Sequence, residues 1–130
     1  MQAGSRTSSI AMTAAACLLA ACSMPSGGEV LDGMDLTAPQ RAIADALVQG
    51  MEKDTPVPML RKRDYLLAAC YATNVSVPPA HERAHLAYLA DYTAADDDFY
   101  GFFQRYGVGE EEAYALFGRY EAAMAACGNG

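Results

Sequence analysis

His81-Glu82-Arg83-Ala84-His85 sets two imidazoles four residues apart with a carboxylate directly after the first, and these are the only two histidines in the chain. On a helix, residues four apart lie one turn above each other, so both rings can reach one Zn²⁺ while Glu82 takes a proton from the metal-bound water. A third ligand must come from elsewhere, and Glu110, Glu111 and Glu112 are the candidates. A second reading needs no metal. His85 shares a stripe with Tyr88, Leu89 and Tyr92 and is then a hydrogen-bonded residue at the edge of the core. In that reading His81 sits in an exposed first turn, where Glu82 is a favourable acid near the positive end of the helix dipole. A third reading is a surface histidine pair that holds zinc or copper without catalysis.

The spacing resembles the H-E-x-x-H pattern of the zincin metallopeptidases, which implies a zinc peptidase with His81 and His85 as ligands and Glu82 as the catalytic base. The surroundings depart from that family. Pro78 and Pro79 immediately precede the motif, and Arg83 lies inside it. Tyr88 stands where the longer metzincin pattern turns on Gly, and Asp91, six residues past His85, is rotated by about 240° from the zinc face. No strand pattern supplies the sheet edge on which such enzymes lay out a peptide. The expectation is therefore a protein that is not an enzyme and needs no cofactor, with zinc peptidase chemistry at His81, Glu82 and His85 as the alternative.

Two acidic triplets, Asp96-Asp97-Asp98 and Glu110-Glu111-Glu112, fall at predicted helix starts, where negative charge complements the macrodipole. Consecutive helical residues diverge by about 100°, so neither triplet converges on a cation. Asp96-x-Asp98-x-x-Gly101 also lacks the bidentate Glu of a calcium loop. Arg61-Lys62-Arg63 reads as a solvated helix face able to touch anionic lipid weakly. The chain of 130 residues carries 9 Lys+Arg against 16 Asp+Glu, a formal charge of -7, and that acid excess argues against binding nucleic acid.

The four cysteines divide by position. Cys17 lies within the uncharged run 10–21, which follows a short segment bearing Arg6 and is too short to span a bilayer. Charge, apolar run and the small residues Ala20 and Ala21 stand in the order of a secretory signal, which assigns 1–21 to a signal peptide. Leu19-Ala20-Ala21-Cys22 resembles the lipobox of bacterial lipoproteins. The resemblance implies that Cys22 receives a diacylglyceryl group, becomes the first residue after cleavage, and can be acylated on its amine. Ser23, where that family often carries a retaining Asp, points to the outer membrane, facing the periplasm. Removing 1–21 takes away one cation and no acid, so the mature chain is the more acidic form.

Cys70 and Cys127 remain, both on or beside apolar stripes of an exported chain, and they are expected to form a disulfide. A redox role is not expected, because there is no Cys-x-x-Cys and no thioredoxin-like strand pattern. The elements that must position all these groups are helical. Residues 22–35, with one Pro and three Gly, read as a flexible tether, and 36–130 as one domain. Five segments show 3.6-residue spacing: 37–53, 59–73, 79–93, 95–106 and 110–126. The clearest is Phe99, Phe102, Phe103 and Tyr106 at i, i+3, i+4, i+7. The expected fold is all-α, a small bundle of about five short helices closed by one disulfide. The expected role is a membrane-anchored envelope lipoprotein that presents a helical surface to a protein partner.

Overall fold

The structure, a computed structural model, describes residues 27–55, 59–96 and 98–128. The signal segment, the lipobox and Cys22 lie outside the described residues, as do Pro56, Pro58 and Asp97. Among those described there are six α-helices and no strand: α1 Gly27–Asp32, α2 Ala38–Asp54, α3 Lys62–Asn74, α4 Glu82–Ala90, α5 Phe99–Gln104 and α6 Glu110–Ala126. All five predicted helices are present, and the all-α class holds.

Local chemistry sets several of the ends. Thr37 opens α2 through a capping box: its hydroxyl accepts from the Gln40 N–H at 3.3 Å, and Oε1 of Gln40 accepts from the Thr37 N–H at 2.9 Å. Asp98 caps α5 by accepting from the Gly101 N–H at 3.0 Å. Gly107, at φ +74, closes α5 in the left-handed conformation that a side chain disfavours. Its N–H reaches the Gln104 carbonyl at 3.0 Å and that of Val108 reaches Phe103 at 3.1 Å, the paired bonds of a Schellman motif.

Three expectations are corrected. The tether does not run to residue 35, because Gly27–Asp32 is helical and Leu31 is only 2% exposed. So short a helix has little stability of its own. It holds because Leu31 enters the core shared with α2 and α3, and because Arg41 on α2 pairs with both Asp32 and Asp45. The helix expected over 79–93 is divided into a 3₁₀ turn at Pro79–His81, α4, and a second 3₁₀ turn at Tyr92–Ala95. Two consecutive prolines supply no N–H, so the chain enters as a tight turn and becomes α-helical only at Glu82. The helix expected over 95–106 shortens to α5, because residues 92–95 belong to that second turn and Asp98 caps at 98.

Packing follows the apolar stripes. α2 lies against α3 and α4, and α6 closes on α3 and α5. A Cβ at Gly50 would collide with the Leu89 carbonyl oxygen, so glycine is what lets the backbones of α2 and α4 touch. One core, with Leu31, Ala44, Leu47, Tyr65, Ala68 and Tyr71, fills the space between α1, α2 and α3. The other joins Ala84, Phe102, Phe103, Val108, Ala113 and Leu116 around α5 and α6. Tyr88 borders both, with its ring 5.4 Å from Phe103 and 5.7 Å from Tyr120. Tyr106, expected on the buried face of its helix, is instead 37% exposed. The Cys70–Cys127 disulfide is formed, with an S–S distance of 2.08 Å, and fastens the end of α6 to α3 across 57 residues of sequence.

Candidate functional site

The two histidines are treated differently by the fold. His85 projects from the first core-facing turn of α4, between Ala84 and Leu89, and is 3% exposed. Its Nε2 is hydrogen-bonded to the hydroxyl of Tyr71 on α3 at 2.6 Å, and the two rings stack with centroids 5.8 Å apart. Tyr71 is fully buried and also meets the ring of Tyr120 at 5.6 Å. Burial disfavours the charged imidazolium, so His85 is pushed down to about 4. The same desolvation, reinforced by the neighbouring Tyr120 and Tyr88, raises the Tyr71 phenol far above its ordinary value. At neutral pH the site is an uncharged phenol–imidazole pair inside the core. Among the described residues no buried side-chain nitrogen or oxygen lacks a partner.

His81 is half-buried and ends the first 3₁₀ turn, with φ −111° and ψ 5°. It precedes α4, so the uninterrupted α-helix that would stack it over His85 is not formed. Glu82 is exposed at the first residue of α4. Glu110, Glu111 and Glu112 occupy the exposed first turn of α6, as their dipole role requires. Among the described residues no three His, Cys, Asp or Glu side chains come together as a metal-holding group. The third ligand sought in the acidic triplet is therefore not brought to the histidines.

Glu82 and His85 do share a groove. It has a volume of about 400 Å³ and runs between the start of α2 and the end of α3, with Pro39, Ile43, Val75 and Leu86 among its walls. A second groove of about 500 Å³ lies where α1 meets the start of α3, with Glu29, Val30, Met34, Leu60, Lys62 and Leu66 among its walls. Neither brings together a nucleophile, a base and an orienting group.

Tyr71 is the residue that local reasoning about the motif passes over. The signal for it was present: a tyrosine on the apolar stripe of a helix must find a hydrogen-bond partner when its ring is buried, and so must a histidine. Comparison with protein-family models, curated proteins and solved structures yields no match.

Proposed function

We propose that this chain is a bacterial envelope lipoprotein, held on the membrane by acyl chains on Cys22, whose helical domain serves as a protein-interaction or accessory module rather than as an enzyme. The observation that carries the reading is the run Leu19-Ala20-Ala21-Cys22 directly after an uncharged segment of signal length. Two acyl chains, each burying many methylenes at about 0.8 kcal/mol apiece, hold a protein on a bilayer stably. Ser23 favours the outer membrane, with the domain facing the periplasm.

The disposition of the polar groups supports the non-catalytic half of the proposal. His85 is committed to a buried bond with Tyr71, and Glu82 stands exposed without a converging partner set. The domain meanwhile leaves large aromatic side chains in solvent: Tyr100, Tyr106 and Tyr114, the last 57% exposed. Tyrosines are enriched at protein interfaces because a rigid ring and a polar tip suit a partly wet contact.

The test compares rescue of a deletion strain by the wild-type chain with rescue by the same mature sequence carrying Cys22→Ser, exported behind a signal that is cleaved without lipidation. The expected result is full rescue by the first and loss of rescue by the second at equal periplasmic amount. Full rescue by the unacylated form would remove the anchored-module reading. Loss of rescue on Glu82→Gln with an unchanged fold would replace it with the catalytic one.

A further inference from the structure

We infer that one face of the domain lies on the bilayer itself: Arg61, Lys62 and Arg63 engage anionic lipid headgroups while Met59 and Leu66 enter the interfacial layer beside them. The inference rests on the acylation of Cys22 proposed above and names the surface that the anchor brings to the membrane.

Charge singles out the place. In a chain with net charge -7, residues 61–63 are three consecutive cations, and no other two cations adjoin in the sequence. The other described cations are occupied. Arg41 pairs with Asp32 and Asp45, and Lys53 with Asp91. Arg119 donates to the Ser76 carbonyl, and Arg83 and Arg105 lie over the rings of Tyr106 and Phe102. Among the described residues the side chains of Arg61, Lys62 and Arg63 have no hydrogen bond or ion pair, and all three are exposed. The backbone of Arg61 is engaged: its N–H donates to the carboxylate of Asp64 at 2.7 Å, and its carbonyl accepts from the Asp64 N–H at 2.9 Å.

Apolar exposure falls at the same spot. Met59 is 65% exposed and Leu66 44%, the two most exposed large aliphatic side chains of the described chain. Leu66 follows Lys62 by four residues and Arg63 by three on α3, so the leucine and both cations share one helix surface. Basic side chains flanking exposed apolar ones are the pattern of a surface that rests in the headgroup layer.

Chain length brings this face to the lipid. α1 begins at Gly27, and its Glu29 and Val30, with Met34 just beyond its end, share a groove with Leu60, Lys62 and Leu66. Cys22 precedes Gly27 by so few residues that, even at full extension, the connection spans roughly 18 Å. The start of α1 is held within roughly 18 Å of the bilayer, and α3, which packs against α1, stays near it. The occupant of the face is thus a lipid surface carrying negative charge.

The chain contains no Trp, so one introduced residue reports alone. The acylated mature protein carrying Leu66→Trp is reconstituted into vesicles of neutral phosphatidylcholine, or of phosphatidylcholine with one-third phosphatidylglycerol, with brominated acyl chains as quencher. A Tyr114→Trp protein serves as the reference. The expected result is blue-shifted emission and at least two-fold quenching for Leu66→Trp in anionic vesicles, and neither for Tyr114→Trp. Arg61→Glu, Lys62→Glu and Arg63→Glu together should abolish the quenching with the circular dichroism spectrum unchanged. Absence of quenching at 66 in anionic vesicles, or quenching equal in the charge-reversed protein, overturns the inference and leaves this face to a protein partner. Flotation separates the two readings: every variant should float with neutral vesicles through its lipid. A protein that floats but shows no quenching overturns only the face, whereas one that does not float overturns the anchor.

Discussion

Lowering the pH from 7 to 4 should cost this domain about 3 kcal/mol of stability through His85 alone. In the folded chain burial holds the imidazole near 4, whereas in the unfolded chain it titrates near its ordinary 6.5. Between those values the unfolded state takes up a proton that the native state refuses, so stability falls as pH falls from about 6.5 toward 4 and the loss levels off below. Each unit of difference is worth about 1.4 kcal/mol, which gives the figure of about 3. A small domain has roughly 5–15 kcal/mol in total, so the effect is large enough to read directly. Asp91, whose carboxyl is held below its usual range by the hydrogen bond from Thr93 and by Lys53, adds acid sensitivity of its own. The assay therefore compares urea unfolding of the wild type and of His85→Gln at pH 7, 6, 5 and 4, since the two proteins share every other titratable group. The wild type should lose about 3 kcal/mol more than the variant over that range. A stability difference independent of pH, or an NMR titration of His85 near 6.5 in the folded protein, would refute the reasoning.

Further outcomes follow from the packing. Tyr71→Phe leaves Nε2 of His85 buried without a partner and should destabilise by about 1–3 kcal/mol in urea unfolding. Opening the Cys70–Cys127 bridge by a double Ala substitution frees a loop spanning 57 residues and should cost about 4 kcal/mol in the chain-entropy model, measured as a lower midpoint with little change of native helix content. Gly50→Ala gains up to about 1 kcal/mol of helix propensity but drives a methyl into the Leu89 carbonyl. A net loss of about 1–3 kcal/mol is expected, and a stabilised variant in thermal unfolding would show that α2 and α4 are not in backbone contact.

The long helices were legible because their stripes are local and agree with their caps. Phe102 and Phe103 are buried as their spacing requires, and Thr37, Pro39 and Gln40 mark the start of α2 in sequence as they do in space. The disulfide could be read because both cysteines sat beside apolar stripes of a chain whose first residues read as an export signal. What escaped was tertiary. Nothing in Gly27–Asp32 by itself demands a helix, and its formation depends on Leu31 reaching a core built by α2 and α3 and on Arg41 nine residues beyond Asp32. The separation of the two histidines has a related origin. Spacing alone stacks His81 over His85, but Pro78 and Pro79 turn the chain before α4, and Tyr71, fourteen residues earlier on another helix, takes the free nitrogen. Gly50 was visible on an apolar face, although only the approach of Leu89 explains why it must be glycine.

The central claim is the anchor, and it is most directly tested by the intact mass of the chain purified from bacterial membranes. The account predicts a protein that begins at Cys22, retains the Cys70–Cys127 bridge, and is heavier than the bare 22–130 sequence by a diacylglyceryl group with or without one further acyl chain. A membrane-free protein with Cys22 unmodified, or a chain cleaved elsewhere, would contradict it.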